Sequence, residues 1–170
     1  MQVNTARFGD IEIADEKIIT FQEGIPSFEE CRSFALITAE ETEPFLWLQS
    51  LDRPDVALAA VNPFRLFPDY APRVSETALA DIGSPSDDDV LLLTVAVIPA
   101  EPRRMTTNLV SPILINAREN VGRQVILEGG DYQVRQPIFD AVRDILAGGE
   151  GAALTAPDPE MGGTADAGAH

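Results

Sequence analysis

The residues of this chain that could carry out chemistry are mostly acids, and their spacing defines no active site. The acidic triplet 87–89 follows the turn-forming segment 83–86, which predicts a solvated loop, and the acidic segment 40–43 predicts another. A calcium loop would need acids that alternate along the chain with a glycine at a set position, and neither segment has that pattern. Glycosidase carboxylates need no fixed spacing in sequence, but nothing singles out a pair.

Nucleophiles and bases are equally scarce. His170 is the single histidine and the last residue, so the body of the chain lacks the commonest general base and metal ligand. Cys31 follows two glutamates, which raise the pKa of a thiol, and Lys17 is the single lysine. Gly129-Gly130 is not followed by the Lys-Ser of a phosphate-binding loop. We therefore expect no enzyme, no metal and no cofactor.

The charge of the chain is unevenly distributed. There are 28 acidic and 12 basic residues, a net charge of −16. Residues 1–90 hold 18 acids and 6 bases, a net of −12; residues 91–146 hold 6 of each; residues 147–170 hold 4 acids and no base. So acidic a surface repels nucleic acid and anionic membranes, and it attracts basic proteins.

The beginning of the chain and its cysteine content indicate a compartment. The first residues are polar rather than an apolar signal core, and no apolar run approaches the length of a membrane span. One cysteine gives no disulfide framework and fits a reducing environment. The expected location is the cytoplasm.

Short runs of alternating apolar and polar residues predict a chain dominated by β-strands. A hairpin is expected where 2–8 and 11–13 flank the turn Gly9-Asp10, and the most apolar run, 90–98, predicts a central strand buried on both faces. The other predicted strands are 17–21, 33–38, 45–50, 56–61, 113–116, 124–127 and 132–134.

Two short helices complete the predicted elements. The segment 75–82 begins with Ser75, a suitable N-cap, and 137–147 has an apolar stripe at helical spacing and ends before Gly148. Many short strands with one or two short helices predict a mainly β fold, a small antiparallel β-barrel-like domain over 1–147. The acidic segment 148–170 is rich in glycine and alanine and is expected to be disordered.

Polar and aromatic residues at strand ends are the remaining candidates for function. Asparagines there commonly bond neighbouring backbone in turns, and the aromatic side chains fit a core equally well, so structural roles stay open. A docking surface for a protein partner is the functional alternative. Its candidate residues are Asn62, Pro63, Phe64, Asp69, Tyr70, Asn108, Leu109, Pro112 and Asn116.

Five sequence blocks in order resemble the FliW family of flagellar assembly factors. Together they span about Phe8 to Arg135. Ser27 stands where the family commonly has glycine, and Ser111 where it commonly has alanine. The blocks are 21–29 (FQEGIPSFE), 44–50 (PFLWLQS), 62–64 with 69–70 (NPF and DY), 107–116 (TNLVSPILIN) and 122–127 (GRQVIL).

The resemblance implies a compact β-barrel-like fold, no catalysis and two protein partners. One partner is flagellin, held in the cytoplasm before export. The other is CsrA, an RNA-binding repressor of translation, which such a protein captures when it is free of flagellin, so that repression of flagellin synthesis is lifted. The implied capture is non-competitive with RNA, and the chain is expected to be a monomer when free.

Two other hypotheses belong to different classes. An acidic mimic of nucleic acid would block an RNA-binding protein directly, and RNA in excess would displace it. A carboxylate-dependent hydrolase would lose turnover on neutralisation of one acid.

Overall fold

The computed structural model describes residues 1–148, in which β-strands dominate. The predicted tail lies outside the described residues except for Gly148, the last residue of the final helix. The strands are β1 (Gln2–Thr5), β2 (Gly9–Glu12), β3 (Ile18–Thr20), β4 (Ser33–Thr38), β5 (Leu46–Ser50), β6 (Ala57–Val61), β7 (Val90–Val97), β8 (Thr106–Thr107), β9 (Ile113–Asn116), β10 (Val121–Gln124) and β11 (Gln136–Pro137). The α-helices are α1 (Pro63–Leu66), α2 (Glu76–Ala80) and α3 (Phe139–Gly148). Single 3-10 turns lie at Asp15–Lys17, Glu40–Thr42, Asp87–Asp89 and Pro102–Arg104.

Seven strands close into a ring, which confirms the predicted barrel. Hydrogen bonding runs in the order β7, β6, β5, β4, β3, β10, β9, and β9 pairs back with β7. Six of the neighbouring pairs are antiparallel, and the seventh, β10 with β3, is parallel, with Val121 opposite Thr20. The ring is therefore closed between segments that are far apart in sequence.

Strand β7 belongs to the ring and also extends beyond it. Val90–Leu93 pair with β9, whereas Ala96 and Val97 pair with β8, which in turn pairs with β11. Val97 is 42% exposed, so the prediction that this strand is buried on both faces is wrong at its C-terminal end. The neighbouring strand β6, in contrast, is buried at every position.

The interior of the ring is filled by every second residue of its strands, since side chains alternate between the two faces of a strand. The rings of Phe21 and Phe34 pack edge to face there, with centroids 5.2 Å apart. A Cβ on Gly122 would lie 2.5 Å from Phe21 Cζ, so glycine is needed where β10 passes this ring. The interior cluster consists of Ile19, Phe21, Ile25, Cys31, Phe34, Leu48, Leu58, Ala60, Leu93, Ile113 and Ile115.

Helices and connecting segments cover parts of the outer faces. Helix α3 contributes Val142 and Leu146 to the apolar cluster that also contains Trp47 of β5 and Ala59 of β6. Trp47 Nε1 donates to Thr42 Oγ1 at 3.1 Å. On the outside of β7 and β9, Tyr70 and Ile82 belong to a third apolar cluster. The segment between β6 and β7 therefore covers part of the outer face of β7 and β9.

Several predicted elements agree with the structure, and others are corrected. The hairpin of β1 and β2 is confirmed, but its predicted turn is wrong, because Gly9 and Asp10 pair with Thr5 and Asn4 in β2 and the turn lies at residues 6–8. Ser75 Oγ accepts from Ala78 N at 3.1 Å, as its predicted capping role requires. The strand predicted at 124–127 is wrong, because β10 is Val121–Gln124. No strand forms at 132–134, where residues 132 and 133 are irregular and residue 134 begins a turn that leads into β11.

The described residues contain three α-helices, where one or two were expected. The additional helix, α1, is a single turn of four residues that begins at Pro63. A run that short gives no periodic pattern from which a helix could be predicted. The predicted 137–147 helix begins two residues later, at Phe139.

Candidate partner-binding surface

The segment that follows β6 projects one aromatic ring outward. Asn62 is the N-cap of α1, and its Oδ1 accepts from Phe64 N at 3.0 Å. Pro63 occupies the first helical position, where its missing N–H leaves no bond unmade. Pro63 and Leu66 are buried beneath the turn, whereas the Phe64 side chain is 42% exposed.

Three aromatic rings are in contact in the order Phe64, Tyr70, Tyr132. The centroids of Phe64 and Tyr70 are 5.6 Å apart, and those of Tyr70 and Tyr132 are 4.8 Å apart at 71°. The Tyr70 hydroxyl donates to Leu109 O at 2.8 Å, and the Tyr132 hydroxyl accepts from Ala71 N at 2.9 Å. These bonds fix the two tyrosines, which in turn support Phe64 at the surface.

Tyr70 is an interior residue of this stack. It is 5% exposed, and burial, with a smaller contribution from the neighbouring Tyr132, raises the pKa of its hydroxyl to about 12. The phenol therefore stays protonated at neutral pH, which its bond to Leu109 O requires. Sequence reasoning named Tyr70 and Leu109 as surface candidates, and the structure brings them together in the core.

Beside Phe64 lies an open, largely apolar groove of about 570 Å³. Helix α2 and strand β7 form its walls, and Asp87 provides a carboxylate at its margin. Sequence reasoning identified three residues of the lining and missed the apolar majority, which carries no distinctive motif. The lining residues are Asn62, Phe64, Tyr70, Ala71, Pro72, Val74, Leu79, Asp87, Val90, Leu91, Leu92 and Leu114.

One acidic side chain, that of Asp87, lines the groove, and other acids neighbour its lining residues in sequence. Asp69 immediately precedes Tyr70 and is exposed, and Asp87 and Asp88 are exposed on the 3-10 turn that leads into β7. Ser86 Oγ donates to Asp89 Oδ2 at 3.0 Å, which holds that turn. Arg65, on α1, is paired with Glu43 at 3.5 Å. The groove therefore combines an apolar floor with a negatively charged margin.

The other two candidate asparagines serve local structure. Asn108 Oδ1 accepts from Val110 N at 3.0 Å and from Ser111 N at 3.1 Å. Asn116 Oδ1 accepts from Arg118 N at 3.0 Å, and its Nδ2 donates to Ile82 O at 2.7 Å. Asn116 is 1% exposed. Both asparagines therefore bond neighbouring backbone, which is the structural role that the sequence left open for them.

The nine candidates do not form one continuous surface. Phe64 and Asp69 are exposed, and Asn62 and Asn108 are half-buried. Asn108 lines a different groove, of about 260 Å³, which shares no lining residue with the Phe64 groove. The buried candidates are Pro63, Tyr70, Leu109, Pro112 and Asn116.

The residue types that can bind metals or act as nucleophiles have the following positions. In residues 1–148, no cluster of three or more His, Cys, Asp or Glu is placed to hold a metal ion. Cys31 is fully buried, and burial raises the pKa of its thiol. Over the same residues, no helix is both long enough and apolar enough to span a bilayer.

Three comparisons place the chain among known proteins. The family model described as FliW protein matches residues 2–138. Flagellar assembly factor FliW of Caldanaerobacter subterraneus subsp. tengcongensis is 39% identical over 145 residues, covering 85% of this chain and 97% of that protein. Its namesake from Thermotoga sp. (strain RQ2) is 42% identical over 134 residues, covering 78% and 90%. A crystal structure of the flagellar assembly factor FliW superposes with a TM-score of 0.76 at 32% identity, covering 81% of this chain and 96% of that one.

Proposed function

Because this chain belongs to the FliW family of flagellar assembly factors, we propose that it is a cytoplasmic regulator that acts by binding two proteins. It holds flagellin before export. When free of flagellin it is a monomer that binds CsrA and relieves the repression of flagellin synthesis. No step of this function requires catalysis or a cofactor.

The observation that carries the proposal is the groove beside Phe64. A partly exposed aromatic side chain in an apolar depression is a typical anchor of a protein interface. Its lining includes Asp87, and exposed Asp69 precedes the lining residue Tyr70 in sequence; charges of that sign attract a protein whose surface is basic enough to bind RNA. Both features together favour CsrA over an uncharged partner.

We assign different tasks to the acids and to the groove. The net charge of −12 on residues 1–90 acts over a distance, so it raises the association rate and its effect weakens with salt. The groove acts at contact and sets the dissociation rate. A surface that holds CsrA outside its RNA site permits a non-competitive mode, in which RNA in excess does not displace the chain.

Titration of the purified full chain against CsrA tests this proposal. We expect the association rate constant to fall by roughly tenfold or more between low and high salt, while the dissociation rate changes little. An association rate indifferent to salt would contradict steering. Displacement of the chain by excess RNA would instead favour the acidic-mimic mode.

A charge-matched pair of variants locates the steering. Asp87→Asn with Asp88→Asn removes two charges beside the groove, and Asp15→Asn with Glu16→Gln removes two exposed charges at the turn before β3. The first variant should slow association more than the second. Equal slowing would show that total charge, rather than its position, sets the rate.

Flagellin binding is tested in a separate experiment. The tagged full chain is used to capture proteins from the native cytosol, and flagellin and a CsrA-type protein should both be recovered. Recovery of neither contradicts the proposed function.

A further inference from the structure

A second cleft differs from the rest of this acidic protein because arginines line it. It is open, with a volume of about 1040 Å³, and it lies between the end of β7, the Pro102–Arg104 turn and β11. Arg103, Arg104 and Arg135 all line it and are all exposed. Glu101 is the one acidic residue among its lining residues, and its Oε1 accepts from Arg103 N at 3.4 Å.

These three arginines are available to bind an anion. Among residues 1–148, the ion pairs within 4 Å are made by Arg53, Arg65, Arg123 and Arg143, and by none of the arginines in the cleft. The Arg103 guanidinium lies over the ring of Phe139, 5.6 Å from its centroid, with a face still open to solvent. Three guanidinium groups against one carboxylate make this a local positive site.

The chain itself contains an acidic segment of matching charge. Residues 149–170 carry Glu150, Asp158, Glu160 and Asp166 and no lysine or arginine. Acids on residues 1–90 repel this segment, whereas the cleft attracts it. Guanidinium groups bind carboxylates with two parallel hydrogen bonds, which gives such pairs geometric selectivity.

The position of α3 makes this contact possible. The helix begins at Phe139, beside Arg103, and its ten residues are about 15 Å long. The 22 residues beyond Gly148 can span up to about 70 Å when extended, so they can reach back to the cleft. Attachment to the same chain raises the effective concentration of the segment into roughly the millimolar range.

We propose that the arginine cleft binds the acidic segment 149–170 of its own chain. Arg103, Arg104 and Arg135 bind its carboxylates, and the 42% exposed Val97 offers an apolar contact for Leu154 or Met161. The cleft is lined by none of the residues of the Phe64 groove, so this contact is independent of the proposed function.

Paramagnetic broadening in the full chain tests the proposal without any partner. A nitroxide is attached at Ala165→Cys, and the wild-type chain is the labelling control, because its one thiol, Cys31, is buried. Amide signals of the non-proline residues in 97–106 and of Arg135 and Gln136 should lose several-fold in intensity at low salt. They should recover at about 0.5 M salt, because charges are then screened within a few ångströms.

Two matched variants decide the outcome. R103Q/R104Q/R135Q should abolish the broadening, and R32Q/R73Q/R118Q, which removes three exposed arginines outside the cleft, should retain it. Broadening that is absent, uniform over the surface or unchanged in the first variant overturns the proposal. The cleft would then be left for an acidic segment of another protein.

Discussion

Replacement of Phe64 by alanine tests whether the groove is the contact surface for CsrA. A phenylalanine side chain buries about 200 Å² when fully covered, and 42% of it is exposed here, so about 80 Å² is available to a partner. At about 25 cal/mol per Å², covering that area stabilises a complex by about 2 kcal/mol. Phe64→Ala should therefore weaken CsrA binding by roughly 30-fold.

Ile126 provides a matched control. It is 76% exposed, the most exposed of the large apolar side chains in residues 1–148, and it lies outside the lining of the groove. If exposed apolar area alone determined affinity, Ile126→Ala would weaken binding at least as much. Because the argument depends on position, we expect Ile126→Ala to leave the dissociation constant within about twofold of wild type, well below a 1 kcal/mol effect.

Calorimetric titration against CsrA, at a temperature well below unfolding, measures both variants. Phe64→Ala also loses buried contacts and should lower the free energy of unfolding by about 1–3 kcal/mol, so thermal unfolding is recorded for each variant. Phe64→Leu should recover part of the affinity. Unchanged affinity for Phe64→Ala, or an equal loss for Ile126→Ala, would refute the assignment of the groove.

Three further predictions concern the elements that support the groove and the barrel. The pKa of Tyr70 is raised from 10.0 to about 12, so the folded state holds this proton more tightly than the unfolded state does. Stability present below pH 10 should therefore be lost, by up to about 2 kcal/mol, as pH rises to 12. In denaturant titrations Tyr70→Phe should lose this pH dependence, and it leaves the Leu109 carbonyl unpaired. Gly122→Ala should lower the free energy of unfolding by about 1–3 kcal/mol, because the added Cβ overlaps the ring of Phe21. In a double-mutant cycle Phe21→Leu should reduce that penalty, and additive effects would contradict the contact. Ser27 is exposed at φ 77°, a conformation that disfavours a Cβ, so Ser27→Gly should raise stability by about 0.5–1 kcal/mol in chemical unfolding, whereas Ser27→Ala should give no gain.

The sequence predicted the barrel because most of its strands have a local pattern. Strands β4, β5 and β6 are short runs rich in apolar residues, and the turn 52–55 separates β5 from β6. The strand predicted at 124–127 begins instead at Val121, because Gly122 must face the ring of Phe21, and that contact is tertiary. No local pattern encodes which residue of β10 lies beside β3.

The candidate surface was harder to predict because burial is decided by the whole fold. Phe64 and Tyr70 look alike in sequence, yet one is 42% exposed and the other 5%. Tyr70 is buried in a cluster that includes Leu109, almost 40 residues later, whose carbonyl oxygen accepts a hydrogen bond from the Tyr70 hydroxyl. For the asparagines at 62, 108 and 116 the sequence left a turn-forming role and a docking role open, and it could not show how much of each side chain remains exposed.

The parallel contact between Thr20 and Val121 has a consequence for synthesis of the protein. These residues are about 100 positions apart, and β3 and β10 are neighbours in the ring only once both have been made. A nascent chain that ends before Val121 has the other six ring strands but lacks β10, the strand between β3 and β9, so the ring stays open and part of its apolar interior stays uncovered. Ring closure is thus a late event on the ribosome, and it is the step most exposed to aggregation.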